Sequence, residues 1–324
     1  MAPEQTIEQT IGIVGAGVAG LTCAAALSAA GQNLRLFEKS NGLGGRLATR
    51  RSEAGGFDHG APGFSASIPG FRAAAEHAVA AGSAAVWPGG ERVLLSGAPG
   101  PVFVGLPGAS GFARHLLAPP LSPAQVNHGA AVDAIARRDG GWHLSLGDRR
   151  TVVETLVLAI PAPQAAVLLA GVHPFAAALG AVEFAPRLTA MIAADDGTIA
   201  DDAPEGCTIV DKVIRQDALP GRDGAARWVI HATAPWSAAH IERDKPRIAD
   251  DLVAALTGST GALPGEHYRA GHRWRYALTT SPLGAPCLWD AETRLALCGD
   301  WCLGDTVEDA WHAGRAAAEA IIRG

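Results

Sequence analysis

Short apolar runs, glycine-rich turns and alanine-rich stretches dominate the first part of the chain. The run Ile11–Val14 is too short for a helix and has the unbroken apolar character of a strand that is buried on both faces. An alanine-rich stretch begins near Val18, ends near Gly31 and predicts a packed helix, and the run Leu34–Phe37 predicts a second strand. This order of strand, helix and strand is typical of a parallel βαβ unit.

The same kinds of pattern continue along the rest of the chain. Helices are expected at 71–81, 110–117, 245–256 and 307–322. Strands are expected at 132–135, 142–146, 155–160, 188–193, 227–232 and 294–298, with a turn at Asp139–Gly141 and a helix stop at Pro119–Pro120. From about residue 166 to 283 short strands alternate with loops, which predicts a second, mixed domain.

The turn between the first predicted strand and helix has the spacing Gly15, Gly17 and Gly20, and Glu38 follows the second strand. In this context the spacing is the fingerprint of a dinucleotide site. Gly15 permits a tight turn, Gly17 lets a pyrophosphate approach the backbone, and Gly20 lets the helix pack close to the strand. The helix start offers unpaired N–H groups to an anion, and Glu38 can accept hydrogen bonds from a ribose. The alternative is a tight helix–strand turn without a ligand.

Two further segments are candidates for the same ligand. The cluster Gly42–Gly45 lets the chain cross a phosphate face closely, and Arg46 can pair with the pyrophosphate. Near the other end, Asp300 follows the last predicted strand, and Thr306 with Asp309 has the spacing of a capping box at a helix start. A bound cofactor would meet unpaired N–H groups there. The alternative is that Asp300 is a turn residue and Asp309 only a cap.

Composition narrows the class of protein. The chain has 324 residues, of which 48% are hydrophobic and 18% charged, so it can bury a sizeable core. The net charge of -6, without any run of Lys or Arg, argues against a nucleic-acid surface. No apolar stretch approaches the ~18 residues that a transmembrane helix needs, so no membrane partner is expected.

The five cysteines have no disulfide-framework or metal-ligand spacing, so reduced thiols and no metal site are expected. The first residues, Met1–Gln5, lack the basic and apolar regions of a signal peptide. Together these features predict a cytoplasmic protein. The oligomeric state is not predicted.

Motifs in nearly the whole chain resemble those of the two-domain flavoproteins related to amine oxidases, and within that superfamily those of the bacterial renalase-like oxidoreductases. The resemblance rests on Gly15–Gly20, Gly42–Arg51, Phe57–Ala61, Phe103–Gly108, His272–Ala277, Cys298–Cys302 and Val307–Trp311. The chain departs from the renalase-like pattern at Pro62 and Gly63, where a glutamine and an aromatic residue are usual, and at Asp309, where glycine is usual. It also departs at His312–Ala313, where an apolar residue and serine are usual. The first change is expected to open the substrate pocket.

The resemblance implies an α/β fold with a discontinuous Rossmann-like FAD-binding domain and a mixed-sheet substrate domain. The FAD-binding domain would comprise 1–67, 105–165 and 284–324, and the substrate domain 68–104 and 166–283. FAD would be bound noncovalently, with Val132 at the adenine and the 307–310 backbone at the flavin ring. The expected cofactor-binding residues are Gly15, Gly17, Ala19, Gly20, Glu38, Lys39, Gly45, Arg46, Gly60, Ala61, Val132, Gly299, Asp300, Val307, Glu308, Asp309 and Ala310.

The implied reaction transfers a hydride from a small-molecule substrate to flavin N5, and O2 then reoxidises the flavin and yields H2O2. A reduced nicotinamide nucleotide or related dihydropyridine is the leading substrate, and it needs no base. No catalytic residue is assigned, and His59 is either a base or polar wall or a structural hydrogen-bonding group. The expected substrate pocket consists of His59, Pro62, Gly63, Phe64, Trp274 and Tyr276. If residues 272–276 form a strand, Arg273 and Arg275 lie on the face opposite the aromatic residues and could bind phosphates.

Three other functions stay open. An amine oxidase or desaturase would need an aromatic cage and a lysine near N5, and Tyr268, Tyr276 and Lys212 are the candidates. A non-catalytic flavin-binding protein would agree with the departures from the pattern. A nicotinamide dehydrogenase is the fourth option. A covalent flavin on Cys298 or Cys302 has no support in the sequence.

Overall fold

The computed structural model describes residues 10–94, 100–117, 121–122, 125–258 and 261–324. The expectations for Met1–Gln5 and Pro119–Pro120 lie outside these ranges. The chain divides into two compact units, of which unit 1 comprises Met1–Gly45, Ala113–Glu183 and Thr279–Gly324, and unit 2 comprises Arg46–Phe112 and Phe184–Leu278. The domain limits expected from the sequence differ from the limits of these compact units. The expected FAD-binding and substrate domains stay a prediction.

The helices in the described ranges are α1 Val18–Ala29, α2 Pro69–Ala80, α3 Glu91–Leu94, α4 Ala109–His115, α5 Ala162–Leu169, α6 Phe175–Ala178, α7 Ala234–Ala239, α8 Lys245–Thr257 and α9 Val307–Arg323. The strands are β1 Ile11–Val14, β2 Leu34–Phe37, β3 Thr49–Ser52, β4 Gly55–Asp58, β5 Phe64–Ser65, β6 Ala84–Val86, β7 Val102–Gly105, β8 Val126–Asn127, β9 Ala134–Arg138, β10 Gly141–Leu146, β11 Arg149–Val153, β12 Thr155–Leu158, β13 Glu183–Ala193, β14 Val210–Arg215, β15 Arg227–Ala232, β16 Tyr268–Ser281, β17 Leu288–Asp290 and β18 Leu295–Leu297. None of the helices in these ranges combines the length and apolar character that crossing a bilayer requires.

Unit 1 is built on a six-stranded sheet in the order β17-β18-β12-β1-β2-β8. Strand β1 is parallel to both β12 and β2, and β12 is parallel to β18. These strands are almost wholly buried, because helices cover a parallel sheet on its faces. Helices α1 and α9 lie so close that a Cβ atom added to Gly314 would stand 2.2 Å from the carbonyl oxygen of Ala19. The predicted parallel α/β architecture is confirmed.

Unit 2 contains a four-stranded sheet in the order β14-β15-β13-β16. On one face its side chains, among them Trp228 and Ile230, form a core with Ile248 and Leu252 of α8. On the other face Val229 and its neighbours pack against Phe57 of β4. The predicted mixed character of this part of the chain is confirmed, and the sheet supplies the residues of the second candidate site.

Candidate cofactor and substrate sites

Gly15 and Gly20 are glycines that the fold itself requires. Gly15 has a φ of +102°, and an added Cβ would stand 2.5 Å from the carbonyl oxygen of Ala159. A Cβ on Gly20 would stand 2.0 Å from the carbonyl oxygen of Gly15. The tight turn and the close packing expected of these two glycines are therefore both present.

Gly17 differs, because nothing in the described chain requires a glycine there. Its φ of -74° suits any residue, and an added Cβ would meet no atom within 4 Å. Gly17 is the N-cap of α1, which has no side-chain cap and no acidic residue in its first turn. The first N–H groups of a helix have no partner inside the helix. A phosphate can therefore approach the free N–H groups at the start of α1 closely, because Gly17 leaves open space beside them.

The second glycine cluster lies against the first. The Gly44 N–H donates to the Ala16 carbonyl oxygen at 2.8 Å, and Gly44 forms a parallel bridge with Gly17. Gly45 has a φ of +57°, and a Cβ there would stand 3.2 Å from the Cα of Gly17. The structure thus brings Gly45 to the predicted pyrophosphate turn.

Glu38 ties the loops of this region together. Its side chain is 7% exposed, and its two oxygens accept the N–H groups of Ala16 and Ser40, each at 2.8 Å. Because each carboxylate oxygen can accept a further hydrogen bond, contact with a ribose stays a prediction. The Glu38 carbonyl accepts from Ala130 at 2.8 Å, which brings the loop containing Val132 alongside. Lys39 is exposed.

Asp300 lies directly after β18 and is 3% exposed. Gly299 beside it leaves no room for a Cβ, which would stand 2.2 Å from Nε1 of Trp301. Because β1, β12 and β18 are parallel, their carboxyl ends share one edge of the sheet, where a doubly wound fold places its ligand. Asp300 and the turn after β1 therefore belong to the same edge of unit 1.

The start of α9 is capped by its own residues, which confirms the predicted capping box. The Thr306 hydroxyl accepts from the Asp309 N–H at 3.0 Å, and the Asp309 carboxylate accepts the Thr306 N–H at 3.1 Å. Val307, Glu308 and Asp309 are half-buried and Ala310 is buried. A flavin contact there stays a prediction, and the capping box satisfies one of the N–H groups that the sequence suggested a cofactor would meet.

In unit 2 the side chains of His59, His272 and Trp274 form a cluster of rings. Ring centroids are 4.7 Å apart for His59 and His272, 5.0 Å for His59 and Trp274, and 4.3 Å for His272 and Trp274. The His59 carbonyl accepts from Nε1 of Trp274 at 2.9 Å and from Nε2 of His231 at 3.3 Å. The Nδ1 atom of His59 is buried and has no hydrogen-bond partner among the described residues.

Both imidazoles of this cluster are held neutral. Burial lowers the pKa of His59 to about 4, and the charge of Arg50 adds to the effect. Burial also lowers the pKa of His272 to about 3, together with His59, Lys245 and Arg50. A group with such a pKa is a weak base at neutral pH. The lowered pKa argues against His59 as a base, and its role as a polar wall or as a structural hydrogen-bonding group stays a prediction.

The segment after His59 is tightly packed. Gly60 passes so close to Arg46 that a Cβ would stand 2.0 Å from the Arg46 carbonyl oxygen, which also accepts from the Ala61 N–H at 2.9 Å. The Arg46 guanidinium donates to the carbonyl oxygen of Ala277 at 3.0 Å. Its contact with a phosphate stays a prediction, since a guanidinium has five N–H donors.

The expected opening of the pocket at Pro62 and Gly63 is wrong. Both residues are buried, and a Cβ on Gly63 would stand 2.8 Å from the carbonyl oxygen of Phe103. Phe64 packs against Phe112 with ring centroids 4.3 Å apart. The backbone and aromatic rings of unit 2 fill the space that the sequence suggested was vacant.

Strand β16 alternates as predicted. His272 and Trp274 contact each other on one face, where Tyr276 also contacts Phe184 with centroids 5.6 Å apart. On the opposite face Arg273 and Arg275 both form ion pairs with Glu242, at 3.7 and 2.7 Å. These arginines already have a carboxylate partner, so phosphate binding by them finds no support.

Sequence reasoning missed the buried Asp58. Its carboxylate forms an ion pair with Arg222 and accepts from the Thr49 hydroxyl at 2.6 Å and the Ala109 N–H at 2.9 Å. The three partners lie nine or more positions from Asp58 in the sequence, so no local pattern could reveal them. Across the described ranges, no three His, Cys, Asp or Glu side chains meet in a way that could hold a metal ion.

Cys298 and Cys302 are buried, and burial raises the pKa of both thiols. A thiol that resists deprotonation is a poor nucleophile. This agrees with the absence of support for a covalent flavin in the sequence.

Comparison with known proteins gives matches over most of the chain. Residues 13–76 match the NAD(P)-binding Rossmann-like domain, and residues 90–322 match the flavin containing amine oxidoreductase family. A putative protoporphyrinogen oxidase from an Exiguobacterium species is similar in structure, with a TM-score of 0.72 and 14% identity over 98% of this chain and 99% of that one. Cyclohexylamine oxidase from Brevibacterium oxydans has a TM-score of 0.65 and 15% identity over 97% and 98% of the two chains. At this identity the structural likeness shows a shared fold.

Proposed function

The chain belongs to the flavin-containing amine oxidoreductases, and from this premise we propose that it oxidises a small substrate with a planar ring, namely a reduced nicotinamide nucleotide or related dihydropyridine. Membership makes the protein an FAD-dependent oxidoreductase that holds FAD noncovalently. The specific donor, and O2 as the acceptor, are part of the proposal.

The residues of unit 1 fit FAD. Gly17 faces open space at the uncapped start of α1, which suits a pyrophosphate, and Glu38 stands at the end of β2, where a ribose is bound in this fold. When bound, FAD would supply a two-electron acceptor for a hydride of the substrate, and the reduced cofactor would reduce O2, with uptake of one proton, to H2O2.

One observation carries the choice of substrate: the cluster of His59, His272 and Trp274 is aromatic and uncharged. The indole of Trp274 offers a surface on which a planar ring can stack, and Nδ1 of His59 offers a hydrogen bond. A dihydropyridine gives up a hydride without first losing a proton. Neither histidine of the cluster is an effective base at neutral pH, which favours a dihydropyridine over an alkylammonium ion.

Anaerobic mixing of the FAD-loaded protein with isomeric dihydronicotinamide nucleotides tests the proposal, with flavin absorbance as the readout. We expect bleaching by at least one isomer and reoxidation by O2 with formation of H2O2. Trp274→Leu should slow the bleaching about two- to tenfold, which corresponds to the free energy of one aromatic stacking contact. The control is Trp236→Leu, since Trp236 packs on the opposite face of the sheet. Bleaching by amines alone, or by nothing, contradicts the proposal.

An amine oxidase is the second candidate, and the position of Lys212 favours it. Lys212 pairs with His231 in the β14–β15 register, and His231 reaches the His59 carbonyl. The lysine that an amine oxidase would need is therefore near the ring cluster, and one structural neighbour is a cyclohexylamine oxidase. If amines bleach the flavin and Lys212→Met abolishes this bleaching, the second candidate is correct. Inertness to every donor would instead favour a non-catalytic flavin-binding protein.

The state of the cysteines supports a cytoplasmic location. All five are free thiols, and Cys23, Cys298 and Cys302 are buried. Unpaired thiols are typical of a reducing compartment. Fractionation of cells that express the protein tests this, and recovery outside the cytoplasm would contradict it.

A further inference from the structure

Unit 2 has a cavity that is lined by none of the predicted site residues. Its volume is about 260 Å³. It is lined by Arg50, Lys245, Pro246, Asp250, Arg269, Ala270 and Gly271. Whole ligands usually occupy cavities of roughly 300–1,000 Å³, so this one has room for one group of a larger molecule.

The charges around the cavity leave two cations available. Arg269 is engaged by Asp250 at 2.8 Å and by Glu266 at 2.5 Å. Within the described part of the chain, no carboxylate forms an ion pair with Arg50 or Lys245. The cavity wall therefore carries three cationic side chains and the carboxylate of Asp250. Arg269 is shared between Asp250 and Glu266, so Arg50 and Lys245 are the cations of the wall without an ion-pair partner among the described residues.

The backbone adds to this positive character. Lys245 is the first residue of α8, a helix of 13 residues. The positive end of the helix dipole lies at this N-terminus. The N-cap Asp244 accepts from the Arg247 N–H at 2.8 Å, so its carboxylate satisfies one donor of the first turn. Gly271 fixes the opposite wall, because a Cβ there would stand 1.9 Å from the Lys245 carbonyl oxygen. The wall is thus a rigid contact between β16 and α8.

The cavity lies close to the ring cluster. Gly271 directly precedes His272 on β16. The charges of Arg50 and Lys245 both lower the pKa of His272, and Arg50 also lowers that of His59. Only charges near the imidazoles produce such effects. Gly271 and His272 face opposite sides of β16, which is the edge strand of its sheet. A molecule whose ring contacts the cluster would therefore place an anionic group in the cavity by passing around this edge.

We infer that this cavity binds the phosphate monoester of the substrate, with Arg50 and Lys245 as its ligands. A guanidinium and an ammonium are the side chains that most often bind phosphate. This inference rests on the proposed function and narrows it to phosphorylated dihydropyridines. It also makes Arg50 and Lys245 determinants of specificity, while the ring cluster binds the part of the substrate that reacts.

The test compares two donors that differ only in the phosphate: dihydronicotinamide mononucleotide and dihydronicotinamide riboside. Anaerobic bleaching of the flavin at a series of concentrations gives the apparent dissociation constant of each. For the nucleotide, Arg50→Gln and Lys245→Gln should each raise this constant about tenfold, which is the loss of one charge-assisted contact. The constant for the riboside should not change, and Arg50→Lys should restore part of the affinity. The control is Arg51→Gln, since Arg51 is the exposed neighbour of Arg50 on β3.

A second readout does not depend on the reaction. Inorganic phosphate should raise the thermal midpoint of the FAD-loaded protein, and the double variant R50Q/K245Q should lose this effect while keeping its FAD content. If no dihydropyridine bleaches the flavin but this loss is seen, the proposed function fails and the phosphate site stands. If both donors bleach it with equal affinity in every variant, or phosphate stabilises the double variant as well, the inference is overturned.

Discussion

Two glycines of the same motif have different reasons to be glycine. Gly20 has backbone 2.0 Å from the position of a Cβ, whereas Gly17 has open space. Packing inside the protein thus requires glycine at position 20. At position 17 only the close approach of a ligand would require it. The motif alone does not distinguish the two.

This difference predicts opposite defects. Gly17→Ala should keep the free energy of unfolding of the apoprotein within about 0.5 kcal/mol of wild type, because a surface change without a clash has little effect. It should nevertheless lower FAD affinity by at least tenfold. Gly20→Ala should lower the apoprotein's stability by about 1–3 kcal/mol, since its methyl group overlaps the Gly15 carbonyl. Denaturant unfolding and FAD titration check both, and equal FAD affinity in Gly17→Ala would contradict this account.

His59 gives a prediction for pH dependence. Its pKa is about 4 in the native protein and about 6.5 in the unfolded chain. Between these values the unfolded chain binds the proton more readily, so stability is full above pH 6.5 and falls as the pH is lowered towards 4.

In His59→Gln we expect this slope to decrease by one proton, or about 1.4 kcal/mol per pH unit. Denaturant titrations at pH 7, 6, 5 and 4.5 measure the slope. His312→Gln is the control because His312 is exposed. An unchanged slope in His59→Gln would mean that His59 already takes up its proton near pH 6.5 in the folded protein.

At the scale of elements, the sequence predicted those elements whose signal is local. Strands β1 and β2 are unbroken apolar runs, and α9 begins at its predicted capping box. Strands β11 and β14 were missed, since both contain charged residues that interrupt the apolar pattern. The 14-residue β16 was missed as a whole strand, because its burial is intermediate along most of its length and only residues 272–276 alternate clearly.

The capping box of α9 should contribute measurably to the free energy of unfolding. Thr306→Ala removes the hydroxyl that accepts the Asp309 N–H, and it should lower the free energy of unfolding by about 1 kcal/mol. Thr306→Ser keeps the cap and should be close to wild type. Chemical denaturation measures both variants. Equal loss in the two would show that the methyl group of Thr306 matters rather than its hydroxyl.

At the scale of the whole molecule, the predicted cofactor site rests on a local motif, whereas the predicted substrate site joins residues that are distant in sequence. Gly15, Gly17, Gly20 and Glu38 lie within 24 residues, so one local motif contains them. The ring cluster joins His59 to residues more than 200 positions away, and only the fold brings them together. The cavity with Arg50 and Lys245 is likewise assembled from distant segments, and no spacing rule could have identified it.

Cofactor binding should be visible in the stability of the whole chain. A ligand at a hundredfold excess over its dissociation constant stabilises the state that binds it by about 2.7 kcal/mol. FAD should therefore raise the thermal midpoint of the apoprotein by several degrees, and Gly17→Ala, with its at least tenfold weaker binding, should retain about half of this rise or less at the same FAD concentration. Calorimetry with and without added FAD measures it, and an FAD-independent midpoint in the wild type would contradict the assignment of the site.

The order of strands in the parallel sheet has a consequence for biosynthesis. Strand β12 pairs on one side with β1, which the ribosome makes early, and on the other with β18, which comes more than a hundred residues later. At about 5–20 residues per second, the nascent chain waits roughly ten seconds with one side of β12 unpaired. During that interval the growing polypeptide offers a bare strand edge to any neighbour, so its demand for a chaperone should last until β18 is made.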